Sequence, residues 1–150
     1  MLRVTKLTDY ATVVLTVLAS APETVLSATG LAERAGLEAS TAAKVLKPLA
    51  QAGLVQAFRG ATGGYRLTRP AAEISLREIV EAMEGPLAMT ECSTHNGHCG
   101  IEHSCGARAN WRRINDIVAD TLRRITLADM ALPVAETPSR KAIPVSLSAN

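Results

Sequence analysis

The sequence predicts a mainly α-helical fold with one small β-hairpin, on three observations. Apolar residues recur at helical spacing in several separate stretches. Aromatic residues are scarce (one Trp, two Tyr, one Phe), so a core must be built from Leu, Val, Ile and Ala. A glycine-rich run, Arg59-Gly60-Ala61-Thr62-Gly63-Gly64, separates two short β-prone runs. The 150 residues fit a single domain, for which ~100–200 residues are usual.

Thr8 is placed to cap a first helix, with Asp9 in the first turn where a negative charge suits the helix dipole. Leu7, Ala11, Val14, Leu15 and Leu18 give that helix its apolar side, and Pro22 marks its end. Ser27 caps a short second helix with Leu31, Ala32 and Ala35, weakened by Gly30 and closed by Gly36. A third helix is expected from about Ser40 to Ala52, with Val45, Leu46 and Leu49 facing inward. Pro48 removes one of its backbone hydrogen bonds, so a kink or a shorter helix is expected.

Runs 54–58 and 65–68 are the two strands of the hairpin. Ser75 and Glu78 have capping-box spacing and open a helix bearing Ile79, Val80 and Met83, which Gly85-Pro86 ends. Residues Leu87 to Ser104 lack periodicity and read as a loop. A long helix is then expected from about Gly106 to Ile125, with Trp111, Ile114, Val118 and Ile125 forming a seam suited to another helix. From Pro133 the chain becomes Pro- and Ser-rich, which predicts a disordered tail.

Helix, short helix, turn, helix and hairpin is the order of a winged helix-turn-helix. Between Ala39 and Ala72 lie five basic residues (Lys44, Lys47, Arg59, Arg66, Arg69) and no acidic one, an electrostatic footprint for phosphate. The third helix would enter the major groove with Ser40, Thr41, Ala43 and Lys44 near base edges, while Lys47 reaches phosphate. Arg59, at the tip of the turn, is placed for a minor groove. Gly60, Gly63 and Gly64 would let the turn adopt positive φ and approach the DNA backbone closely. The domain plan is a DNA-binding head at 1–85, a cysteine-containing loop at 86–105, a dimerisation helix at 106–132 and a tail at 133–150.

Three cysteines is an odd number, and all three lie within fourteen residues, as Cys92-x6-Cys99-x5-Cys105. A disulfide framework does not fit this arrangement, and metal or redox chemistry does. Thiolates are soft ligands for iron–sulfur clusters, zinc or cuprous copper. The tight Cys-x2–4-Cys knuckle usual for structural zinc is missing, while Gly97, Gly100 and Gly106 would let the loop wrap a larger body. Zinc, a thiol redox switch and a ligand-free loop remain alternatives. No window approaches the ~18 apolar residues of a membrane span. The start MLRVTKLTDYATVV lacks a small-residue cleavage site, so a cytoplasmic chain with reduced thiols is expected, without membrane contact. No nucleophile turn, phosphate loop or HExxH appears, so neither catalysis nor a small-molecule substrate is expected. An electron-transfer module with no DNA role is the other rival, and the basic island argues against it.

LTDYA (7–11), the Gly53-Leu54 pair, RGATGGYRLTRP (59–70), EISLREIVEAMEG (73–85), and ECS followed by two further cysteines ahead of NWRRIN (110–115) together resemble a known family. They are similar to the bacterial Rrf-type winged-helix regulators of iron–sulfur cluster biogenesis, which include the Isc and Suf regulators and the nitric-oxide-sensing NsrR type. LTDYATVVL and EGPLAMTECS are most similar to the proteobacterial Suf branch. The resemblance covers residues 1 to about 132.

It implies a homodimer with crossing C-terminal helices on a palindromic double-stranded operator, with half-sites about 34–36 Å apart. It also implies an iron–sulfur cluster, 2Fe–2S or 4Fe–4S, on Cys92, Cys99 and Cys105. The implied function is cluster sensing by a repressor of cluster assembly genes. Sensing of nitric oxide, redox state or zinc through the same cysteines is the alternative. A cluster commonly takes four protein ligands. The Isc type carries a histidine where this chain has Arg108, whereas the NsrR type uses an aspartate of the other subunit, which Asp9 matches. His103, His98 and His95 are local alternatives, and Asp9 also has the simpler role of dipole stabilisation. Pro48 in the recognition helix and the small Ala43 depart from the pattern, so the resemblance carries no operator sequence. A cluster ordering the loop would set the angle between the two DNA-binding heads.

Overall fold

A computed structural model describes residues 3–93, 100 and 105–132. Among the described residues, six α-helices and one hairpin follow in the order α1 (Lys6–Ala19), α2 (Ala28–Ala35), α3 (Ala39–Gln51), β1 (Val55–Phe58), β2 (Gly64–Leu67), α4 (Leu76–Glu84), α5 (Arg108–Arg124) and α6 (Leu127–Ala131). The mainly helical winged-helix class read from the sequence is the observed one. Short 3-10 turns lie at Ala71–Glu73 and Glu91–Ser93. Among the described residues no helix is long and apolar enough to cross a membrane.

The core is aliphatic. Val14, Leu15 and Leu18 of α1, Leu31 of α2, Val45, Leu46 and Leu49 of α3, and Ile79 of α4 are fully or almost fully buried together. Each such side chain contributes ~1.5–3 kcal/mol on leaving water. α1 packs against α2, α3 and α4, so it is the spine of the head.

Local chemistry explains most element ends. Ser27 caps α2 by accepting from the Gly30 amide, and Gly36 closes it in the left-handed region (φ 65°). The Ser75–Glu78 capping box at α4 is present in both directions. Two expectations need correction. Thr5, not Thr8, is the N-cap of α1, and Thr8 is buried inside the first turn with its amide donating to Thr5 Oγ1. Of the kink or shorter helix expected at Pro48, the shorter helix is not observed, for α3 continues to Gln51. Buried Val45, Leu46 and Leu49 hold the helix on both sides of the proline. The Lys44 carbonyl, deprived of its usual amide, belongs to an exposed residue where solvent is available.

The C-terminal region differs more. The expected helix from Gly106 to Ile125 is Arg108–Arg124, and Ile125 is extended (φ −84°, ψ 124°). Thr126 then caps α6 in a capping box with Asp129. The Leu76 amide donates to the Ile125 carbonyl (2.8 Å), and the Leu127 amide donates to the Ile74 carbonyl (2.8 Å). These bonds carry the chain back onto the head, where Leu127 is fully buried and α6 packs on α1. The segment expected as one dimerisation unit therefore has two parts, and the second completes the core of the head. The tail expected from Pro133 lies outside the described residues.

Candidate nucleic-acid interface and metal centre

In α3, Ala42, Val45, Leu46 and Leu49 face the core, which leaves the opposite stripe to solvent. Ser40, Ala43, Lys44 and Lys47 are exposed there and Thr41 is half-buried. Gln51, not singled out from the sequence, extends the same exposed stripe by one turn.

The wing is an antiparallel pair in which Val55 faces Leu67 and Phe58 faces Gly64. Arg59 and Gly60 are exposed in its turn, and Gly60 has φ 111°. Gly63 and Gly64 have a different role from the one expected, for neither is at positive φ. A Cβ on Gly63 would meet the Phe58 carbonyl oxygen at 2.4 Å, and one on Gly64 would meet the Leu26 carbonyl oxygen at 2.3 Å. Both glycines admit close approach of the protein's own backbone. Leu26 bridges to β2 from outside the hairpin: its amide donates to the Tyr65 carbonyl (3.0 Å), and the Tyr65 amide donates to the Leu26 carbonyl (2.8 Å).

The basic island divides in two. Arg66 lies over the Phe58 ring, 5.2 Å from its centroid, a contact worth ~0.5–1 kcal/mol at exposed sites. Arg69 is ion-paired with Glu78. The other Glu78 oxygen accepts from the Ser75 amide and hydroxyl, each at 2.9 Å. Burial pushes this carboxyl up, but the Ser75 bonds and Arg69 outweigh it and hold it below the ordinary glutamate range. Lys44, Lys47 and Arg59 remain as the exposed cations of α3 and the wing tip.

Cys92 lies in the 3-10 turn Glu91–Ser93, which packs on α5. The Met89 amide donates to Oδ1 of buried Asn115 (3.1 Å) and ties this segment to the helix. Cys105 is half-buried ahead of α5, in a hollow shared with Arg108, Arg112 and Arg113. Cys99, His95, His98 and His103 lie outside the described residues. Both described cysteines thus belong to segments abutting α5. Of the three cysteines, Cys105 is the one whose side chain is described, and its surroundings fit an iron–sulfur group: the sulfur is a soft donor, and the arginines lining its hollow would suit the negative charge of a thiolate-bound cluster.

Asp9 is exposed and lines an apolar groove of about 620 Å³ with Val4, Leu76, Val80, Leu122 and Met130. Leu122 lies fourteen residues along α5 from Arg108, a rise of roughly 20 Å. Asp9 therefore sits toward the opposite end of α5 from Cys105 in its own chain. Among the described residues no three His, Cys, Asp or Glu side chains come together to hold a metal. Trp111, Ile114 and Ile117 form an apolar stripe on α5 that is 39%, 41% and 56% exposed. Ile117 was not in the expected seam, whereas Ile125 was and lies beyond the helix.

A helix-turn-helix head with a pinned wing and an exposed basic face defines a winged-helix transcriptional regulator. The chain belongs to the Rrf2 family, whose profile, described as an iron-dependent transcriptional regulator, matches residues 4–133. It is 35% identical over 130 residues to protein aau3 of Rhizobium meliloti (strain 1021), an alignment covering 86% of this chain and 84% of that one. In structure it is similar to CymR (YrzC), the global cysteine regulator of B. subtilis, with a TM-score of 0.70 and 29% identity over 87% of this chain and 97% of that one. It is also similar to T. potens IscR, with a TM-score of 0.64 and 29% identity over 86% of this chain and 85% of that one.

Proposed function

We propose that this regulator senses an iron–sulfur cluster and, as a cytoplasmic homodimer, represses iron–sulfur assembly genes from a palindromic operator. The observation that carries the reading is the position of the cysteines. They lie in the segment joining α4 of the DNA-binding head to α5, the helix with the exposed apolar stripe. Cys92, Cys99 and Cys105 would hold the cluster, which when bound supplies iron that reacts with oxidants and nitric oxide. The chain's own part is to ligate through thiolates, fix the 86–93 segment on α5 through Asn115, and set the course of α5 relative to the head. Asp9 or His103 supplies the fourth ligand. The separation along α5 favours Asp9 of a second copy over Asp9 of the same chain. Ser40, Thr41, Ala43 and Lys44 read bases, Lys47 contacts phosphate, Arg59 enters a minor groove from the wing tip, and Gly60, Gly63 and Gly64 shape the wing.

The likeness to CymR, which in Staphylococcus aureus has been solved in an oxidized form, favours a second reading in which the same cysteines report thiol redox state without a cluster. Duplex binding by cluster-loaded and metal-free protein, titrated with salt, tests the proposal. Log affinity should fall with log salt, and the two forms should differ by about fivefold or more. Equal affinity in both forms would sink cluster sensing and leave a DNA-binding protein.

A further inference from the structure

Glu84 is the last residue of α4, immediately before the Gly85-Pro86 turn into the cysteine-bearing segment. Its Oε1 receives three donors from the start of α1: the Thr5 amide (3.1 Å), the Thr5 hydroxyl (2.6 Å) and the Thr8 hydroxyl. Thr5 is the N-cap of α1 and Thr8 is 1% exposed, so the carboxylate is seated at the positive end of α1, where Asp9 directly follows Thr8 in the first turn. The threonines hold this carboxyl below the ordinary range, as expected of an anion kept in place by its donors. α1 in turn packs directly on α3, the helix with the exposed basic face. One carboxylate therefore pins the root of the cysteine segment to the first turn of the head's central helix.

We infer that Glu84 is a positioning residue that relays the state of the cysteine segment to α1, and through α1 to Asp9 and α3. This rests on the cluster-sensing reading above. A shift of the segment root moves Glu84, and Thr5 and Thr8 must follow or lose their acceptor. The first turn of α1 then tilts against α3, and Asp9 moves with it. A carboxylate that served only to cap α1 would support folding equally in both states of the protein. A relay instead makes the difference between the states depend on it.

The test compares the full-length protein, reconstituted with iron and sulfide, against the same protein stripped of metal. The probe is a duplex enriched by the wild type from a random-sequence pool, and the readout is the ratio of the two dissociation constants. Wild type should give a ratio of about fivefold or more. Glu84→Ala should bring the ratio close to one, while iron content and duplex binding persist in both preparations. Glu84→Gln, which keeps an acceptor but loses the charge, should fall between. Amide exchange in the first turn of α1 should change on cluster loading in the wild type and not in Glu84→Ala. Asp129→Asn is the control: Asp129 likewise accepts from its own N-cap, Thr126, but at the start of α6 and not at the root of the cysteine segment. It should lower Tm and leave the ratio at the wild-type value. Should Glu84→Ala not fold, Thr8→Val removes one donor at constant shape and should still reduce the ratio. A wild-type ratio of one would overturn cluster sensing and the relay together. A wild-type ratio retained in Glu84→Ala, or in Thr8→Val where that replaces it, would overturn the relay alone.

Discussion

Gly64→Ala isolates the attachment of the wing. A Cβ at this position would stand 2.3 Å from the Leu26 carbonyl oxygen, 2.6 Å from its carbon and 2.9 Å from the Ser27 nitrogen. All three are backbone atoms, so no side-chain rotation relieves the overlap. The available relief is separation of Leu26 from β2, which breaks the two hydrogen bonds between Leu26 and Tyr65. At ~0.5–1.5 kcal/mol net each, the loss is about 1–3 kcal/mol. In a domain of this size each kcal/mol moves Tm by roughly 4 °C, so a fall of roughly 4–12 °C is expected. Thermal unfolding followed by far-UV circular dichroism measures it, and DNA affinity should fall in parallel because the wing is no longer held. A variant with wild-type Tm and weakened DNA binding would refute this reasoning. It would return Gly64 to the role of admitting the DNA backbone.

Arg59→Ala should weaken duplex binding and reduce the slope of log affinity against log salt by about one, with bound iron unchanged; an unchanged slope would remove Arg59 from the interface. Ile117→Asp places a charge in the exposed stripe of α5 and should raise the dimer dissociation constant by about tenfold or more, ~1.4 kcal/mol, in sedimentation equilibrium; an unaltered constant would exclude the stripe as the dimer contact. Glu78, Glu84 and Asp129 all have lowered values in the folded protein. The unfolded chain therefore binds more protons on acidification, and the stability these groups contribute is complete above about pH 4.3 and lost as pH falls through their lowered values. Tm should decline more steeply in that acid range for wild type than for Glu84→Gln, and parallel curves would contradict the assignment at Glu84.

What was legible in the sequence was local. Ser27, Gly36, the Ser75–Glu78 box and the glycine-rich turn mark their element ends because each acts within a few residues of itself. The aliphatic stripes of α1 and α3 then assign the buried faces. What was illegible depended on distant partners. Arg69 reads as part of a basic island until Glu78 takes it. Gly64 reads as wing flexibility until Leu26, thirty-eight residues earlier, comes into contact. Glu84 carries no signal because its partners Thr5 and Thr8 lie 79 and 76 residues away. The break at Ile125 had a signal, since Thr126 and Asp129 have capping-box spacing, but helical periodicity through Ile125 masked it. Ile117 was missed because the seam was counted on spacings from Trp111 that pass over it.

On the proposed function, Cys92, Cys99 and Cys105 hold an iron–sulfur cluster. The deciding measurement is the visible spectrum of protein purified without air, with iron and sulfide assayed on the same sample. Wild type should absorb near ~400 nm with iron and sulfide in matching amounts, and Cys105→Ala should lose both the colour and the iron. A protein that stays colourless after reconstitution with iron and sulfide would contradict the claim and leave zinc or thiol chemistry at the same cysteines.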